Sequence, residues 1–173
     1  MKTLVVYKSK SGFTKTYAQW LAAELAADLM EAAKVNEDVL AAYDRIIYGG
    51  GLYAGGINGK KLITKNLDRL KGKKVVVFAT GASPSRPEIV DEVQKRNFTA
   101  EQLQQLRFFY LRGGFDFGKL NSVDKLLMKM LKGQLQKKPQ LTDDERGMLD
   151  AYDHPVDFCR KEDIAEIIQY LNS

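Results

Sequence analysis

Four short apolar runs, each closing on a glycine- or hydroxyl-rich turn, limit what this chain can fold into. They are Lys2–Tyr7, Arg45–Tyr48, Lys74–Ala79 and Leu106–Leu111. Runs this short and this rich in valine and isoleucine read as strands buried on both faces. Segments of helical period lie between them. Tyr17, Ala18, Leu21, Ala22, Leu25 and Leu29 are spaced at three or four residues. Gly59–Leu70 reads as a helix stopped by Gly72, and Glu88–Arg96 as another. Ile164, Ile167, Ile168 and Leu171 form one face of a closing helix. A short second strand is expected within Asp28–Val35, followed by a turn at Val39–Leu40. Strands alternating with helices predict a parallel sheet covered on both faces, a three-layer α/β sandwich. Five strands suit 173 residues organised as one domain over 1–173.

The stretch from Phe115 to Phe158 interrupts this alternation and is too long for an ordinary connection. Within it Val123, Leu126, Leu127, Met130 and Leu131 share one helical face, and Lys125, Lys129 and Lys132 share the other. The pattern predicts a helical insertion over 115–158, before the last helix, docked on the core and with its lysines in solvent. The second reading of the basic segment 120–138 is peripheral contact with an anionic membrane or an acidic partner. Twenty-seven lysines and arginines against 22 acids give a net charge of +5, which suits such contacts. Aromatic residues are not interleaved with these lysines, so no nucleic-acid partner is expected.

No apolar run approaches the roughly 20 residues of a membrane span. The opening run reads as a strand and not as a signal peptide. The single cysteine, Cys159, leaves no internal disulfide and fits a reducing cytoplasm.

In an open parallel sheet, ligands bind beyond the carboxyl ends of the strands. The loop after the first strand, Ser9-Lys10-Ser11-Gly12-Phe13-Thr14, supplies three hydroxyls and the start of a helix. Free amides and the positive dipole end there suit a phosphate; a plain helix cap is the other reading of the same residues. After the third strand, Gly49-Gly50-Gly51-Leu52-Tyr53-Ala54-Gly55-Gly56 lets a planar ligand approach the backbone, with Tyr53 available to stack. Thr80-Gly81-Ala82-Ser83-Pro84 and Arg112-Gly113-Gly114-Phe115 follow the next two strands with more small residues. Together these loops describe a cleft for a flat, phosphate-bearing ligand.

Other motifs fail on context. Gly49–Ala54 follows the wrong strand for a dinucleotide fingerprint, and Ala54–Lys61 lacks the first glycine and final hydroxyl of a P-loop. Gly81–Ser85 lacks the closing glycine of a nucleophile elbow. No aspartate follows the first or third strand, as a phosphoacceptor domain requires. Cys159 and His154 are too few for a metal site, so none is expected.

On these residues the chain resembles the flavodoxins, and within them the branch that contains the menaquinone-dependent protoporphyrinogen dehydrogenases. Ser9–Thr14 looks like the phosphate loop, Tyr53 with Gly55-Gly56 like a flavin-flanking loop, and Thr80-Gly81-Ala82 like the second flavin loop. Phe117–Leu120 through Lys132-Gly133 resembles that branch's insertion. The resemblance implies a flavodoxin-like five-stranded sheet in the order 2-1-3-4-5 and FMN as cofactor. Ser9, Lys10, Ser11, Gly12, Phe13 and Thr14 would surround the phosphate. Leu52, Tyr53, Ala54, Gly55, Thr80, Gly81, Ala82 and Gly113 would flank the ring, with Tyr53 stacked on it and the Gly55 peptide near flavin N5. It further implies an oxidoreductase with a quinone or a redox protein as partner, no identified catalytic acid or base, and a role in heme biosynthesis. The alternatives are an electron carrier without its own substrate and a flavin-free module that keeps the fold. Two departures stand out: carrier flavodoxins are acidic and this chain is basic, and no aromatic lies between Thr80 and Pro84.

Overall fold

The computed structural model describes residues 1–173. The apolar runs form β1 (Thr3–Lys8), β3 (Arg45–Tyr53), β5 (Lys74–Gly81) and β6 (Arg107–Arg112). With β2 (Asp28–Glu31) they build a five-stranded parallel sheet in the order β2-β1-β3-β5-β6. That is the order expected from sequence once β4 (Gly56–Ile57) is set aside. This short strand pairs antiparallel with the end of β3 and forms a hairpin with it.

The pleat sorts each strand's residues between two cores. Leu4, Val6, Ile46, Tyr48, Val75, Val77 and Ala79 face one side. There they meet α2 (Glu37–Ala41), α3 (Lys61–Thr64), a turn of 3-10 helix at Leu67–Leu70, and α4 (Pro87–Asn97), through Leu40, Ile63, Leu67 and Val93. Val5, Ile47, Val76, Phe78 and Leu111 face the other side, against α1 (Phe13–Glu24) and α8 (Ala165–Asn172). Tyr17, Leu21, Ile167 and Leu171 complete that layer at zero exposure. Each such side chain contributes about 1.5–3 kcal/mol by leaving water. α5 (Ala100–Leu103), begun by a Thr99–Gln102 capping box, leads into β6.

Several sequence expectations are corrected. Gly49–Gly51 is not a loop: β3 continues through it, because Gly49 lies under the Phe78 ring, where a Cβ would come within 2.1 Å of Cζ. Gly59–Leu70 is two short turns and not one helix. α1 ends at Glu24, and Leu29 belongs to β2.

The segment after β6 opens with β7 (Gly114–Phe115) and ends with β8 (Val156–Asp157), which pair antiparallel. Between them stand α6 (Ser122–Gln136) and α7 (Asp143–Ala151). Phe115 and Phe117 pack on the Tyr152 ring, whose hydroxyl donates to the Met128 carbonyl at 2.6 Å. The expectation that α6 docks through its apolar face is wrong. Asp124 and Leu135 are its buried residues, whereas Val123, Leu126, Leu127 and Met130 stand in solvent. No helix is long and apolar enough to cross a membrane.

Candidate functional site

Three of the sequence-marked loops reach the same edge of the sheet. Gly12 adopts φ 96° and turns the chain from β1 into α1, which starts without a side-chain cap. The first helical bond runs from the Thr16 amide to the Gly12 carbonyl. The amides of Phe13, Thr14 and Lys15 therefore have no acceptor within the chain, and neither do those of Lys10 and Ser11. These are the orphan donors of a helix start, aimed with the positive dipole end.

The hydroxyls behave less uniformly than the sequence suggests. Ser9 Oγ accepts from the Gly12 amide at 3.0 Å and so shapes the loop. Thr14 is buried at 2 % exposure, and its Oγ1 lies 2.6 Å from Thr80 Oγ1. This pair joins the first loop to the end of β5, with Gly51 beneath it: a Cβ there would sit 3.4 Å from Thr14 Oγ1. Ser11 keeps a half-exposed hydroxyl on the loop.

Tyr53 and Gly56 close the β3–β4 hairpin around Ala54 (φ 47°) and Gly55 (φ 77°). Positive φ at both central residues is the two-residue hairpin turn whose twist matches the strands. The alanine carries the strain of that conformation, about 1–2 kcal/mol. α4 holds the turn in place. Asn97, 4 % exposed, accepts from the Ile57 amide at 2.8 Å and donates to the Gly55 carbonyl at 2.9 Å. Arg96 Nη2 donates to the Ala54 carbonyl at 3.0 Å. The amides of Ala54 and Gly55 stay unpaired.

The loop after β5 has its carbonyls drawn to β6. Gly81 accepts from the Gly113 amide at 2.7 Å, Ala82 from Arg112 Nε at 3.0 Å, and Ser83 from the Tyr110 hydroxyl at 2.8 Å. The Ala82 and Ser83 amides are left free. Gly113 thus has its own amide occupied and abuts Phe13 and Thr80 as packing. Leu52 likewise packs against the core beside Gly81.

One connection was absent from the sequence reading. Lys10 Nζ lies 2.8 Å from Asp124 Oδ2 at the start of α6, and 3.9 Å from the centroid of the Tyr53 ring. The Lys10 ammonium holds the Asp124 carboxyl below the usual carboxylate range, helped by Tyr53 and Asn121. The same carboxylate, hydrogen-bonding the Tyr53 hydroxyl, raises that phenol above its ordinary value. Arg86 pairs with Asp144 of α7 on the far side of the edge. The insertion is therefore tied by ion pairs to the β1–α1 loop and to the start of α4. Asn97, Arg96, Tyr110 and Asp124 had no local signal, since their partners lie far away in sequence.

Cys159 is half-buried, and burial beside Asp157 pushes its thiol up to about 12. A neutral thiol is no nucleophile. Two small hollows, one beside Glu24 and Ile168 and one beside Lys8 and Leu62, are lined by none of the residues of these three loops. The edge itself is an open cradle: Lys10, Gly12, Ala54, Ala82 and Ser83 are all exposed. It combines an uncapped helix start, two loops with unpaired amides and an aromatic ring, a donor set that fits a phosphate joined to a flat polar heterocycle.

A flavodoxin-domain family profile matches residues 4–142. An uncharacterized protein of Methanocaldococcus jannaschii is 31% identical over 121 residues, which cover 68% of this chain and 79% of that protein. Among solved structures, a flavodoxin from the domain Archaea aligns at TM-score 0.42 and 18% identity, covering 89% of this chain and 100% of that one. Oxidised flavodoxin 2 from Bacillus cereus aligns at TM-score 0.42 and 26% identity, covering 65% and 86%.

Proposed function

The chain belongs to the flavodoxin-domain family, and on that premise we propose that it binds FMN at the edge carrying the unpaired amides and moves electrons through it. The observation that carries this reading is the donor set on three loops, free of partners within the chain and gathered at one sheet edge. The amides of Phe13, Thr14 and Lys15, with the α1 dipole and the Ser11 hydroxyl, hold the phosphate dianion. Tyr53 covers the ring, the Ala54-Gly55 turn meets its reactive edge, and Ala82 and Ser83 donate to its polar rim. FMN, when bound, supplies the electron-transfer chemistry. The chain's own part is orientation and field.

Lys10 and Arg96 both reach the Tyr53–Gly55 turn; Lys10 is paired there with the Asp124 carboxylate, and Arg96 has no carboxylate partner. Positive charge stabilises negative charge added to a neighbouring ring. Beside a bound flavin ring, such a charge would favour the reduced form. Such a site would suit taking electrons from a substrate, and the insertion over 115–158, which resembles that of the protoporphyrinogen-dehydrogenase branch, favours the same reading. The finer reading is thus an oxidoreductase of the protoporphyrinogen-dehydrogenase type with a quinone acceptor; the rival is an electron carrier with no substrate of its own.

The test is direct. Purified protein should show a flavin absorbance spectrum. Apoprotein should bind FMN at least about tenfold more tightly than riboflavin, about 1.4 kcal/mol being within reach of a helix terminus acting on a dianion. A colourless protein that ignores added FMN overturns the proposal. Dehydrogenation of protoporphyrinogen by the FMN-loaded protein supports the finer reading; rapid exchange with a flavodoxin reductase and no porphyrin turnover supports the carrier.

A further inference from the structure

Four large apolar side chains stand in solvent on α6: Val123 at 66 % exposure, Leu126 at 61 %, Met130 at 58 % and Leu127 at 48 %. Elsewhere only Met1, Leu29 and Tyr53 are comparably exposed. At 3.6 residues per turn the four fall within about 100° of arc, so they form one continuous stripe. The helix is held from a different side, through Asp124, Leu135 and the Met128 carbonyl. The stripe is therefore not the docking face of α6, and a contiguous exposed apolar patch marks a contact surface.

The charge beside the stripe selects the partner. Asp124 is the only acid of α6, and it is buried against Lys10. Lys132 and Lys138 face Asp153 and Glu145, but Lys125, Lys129 and Lys137 have no carboxylate partner. Lys129 lies about 60° around the helix from Leu126, and Lys137 continues the line of the stripe at its end. A second copy would bring the same lysines against themselves. A protein segment would need a groove, and α6 presents a single convex face. A helix with an apolar stripe beside lysines matches a negatively charged lipid interface, where apolar groups sink about 5–10 Å and cations stay among the headgroups.

We propose that α6 docks the protein on anionic lipid bilayers, with Val123, Leu126, Leu127 and Met130 among the acyl chains and Lys129 and Lys137 at the headgroups. The contact expected from sequence rested on the lysine face alone; here the apolar stripe carries it. Because the first turn of α6 holds Lys10, docking would also carry the β1–α1 loop toward the lipid surface. The proposal stands independently of the flavin.

The test is sedimentation of the full chain with vesicles of phosphatidylcholine, with and without phosphatidylserine. Binding should require phosphatidylserine and weaken with added salt. Leu126→Glu with Leu127→Glu should reduce it at least about a hundredfold. Lys129→Glu with Lys137→Glu should reduce it about thirtyfold or more, two charges at roughly 1 kcal/mol each. All four sites are exposed, and an unchanged circular-dichroism spectrum confirms an intact fold. Equal binding to both vesicle types, no binding, or full binding by the leucine variant overturns the proposal. So does a dimer that the leucine variant abolishes, which assigns the stripe to a second copy. Capture by polyglutamate in place of vesicles assigns it to an acidic protein.

Discussion

Lys10 and Asp124 meet at 2.8 Å although 114 residues separate them in the chain. The same ammonium lies over the Tyr53 ring, so one side chain couples the β1–α1 loop, the β3–β4 hairpin and the inserted helix. Such coupling gives the insertion a route to the cradle that is electrostatic and not merely covalent. It also makes the seating of α6 sensitive to acid.

Asp124 has its folded pKa lowered, first by Lys10. A lowered folded value means the carboxylate contributes stability above its unfolded pKa, roughly 4, and that contribution is lost as pH falls through the lower folded value. Amide-exchange protection of α6 should hold from neutral pH down to about that value and fall below it. Asp124→Asn should lower protection at neutral pH and remove the acid step. An unchanged profile in the variant would show that Asp124 does not seat the helix.

Asn97→Ala should destabilise the fold by about 2–4 kcal/mol, because a buried amide and two carbonyls lose partners together. FMN affinity should drop with it, since the Ala54-Gly55 turn loses its anchor. Urea melts and flavin titration measure the two effects separately. A loss below about 0.5 kcal/mol would place Asn97 among ordinary surface polar groups.

Thr14→Val and Thr80→Val should each cost about 1–2 kcal/mol by stranding the other hydroxyl in a buried site. The double variant should cost less than the sum, since removing both partners leaves nothing stranded. Strict additivity in a denaturation cycle would count against a coupled pair.

Cys159 should resist iodoacetamide at pH 8 and react only as pH climbs toward 12. Its raised value also sets the sign of a stability change. The neutral thiol's contribution is complete below the unfolded pKa, about 8.5, and is lost as pH rises through the folded value. Rapid labelling of native protein at pH 8 would contradict this environment.

The sheet was legible because its strands are nearly continuous apolar runs, and alternation with helices makes them parallel; their order came only with the resemblance to the flavodoxins. The loops at the edge were legible because Gly12, Gly55 and Gly81 stand where turns follow strands. Gly49 misled because a glycine beneath Phe78 and a glycine in a loop look alike in sequence. The bond between the Thr14 and Thr80 hydroxyls was not legible either, because 66 residues separate the two in sequence. α6 shows a deeper limit. Periodicity reveals that a helix has an apolar face, but which side touches the protein depends on anchors such as Asp124, whose partner lies at the opposite end of the chain.

The clasp of β7 and β8 sets Gly114 opposite Asp157. Where the two ends of a detour sit side by side, everything between them can be lengthened, trimmed or exchanged while the sheet keeps its shape. A short linker from residue 115 to residue 156 would span the same rung, leaving a compact relative with the cradle bared along one flank. Apart from the Asp124 contact with Lys10 and the Asp144 contact with Arg86, the two helices are thus free to vary around an unchanging centre.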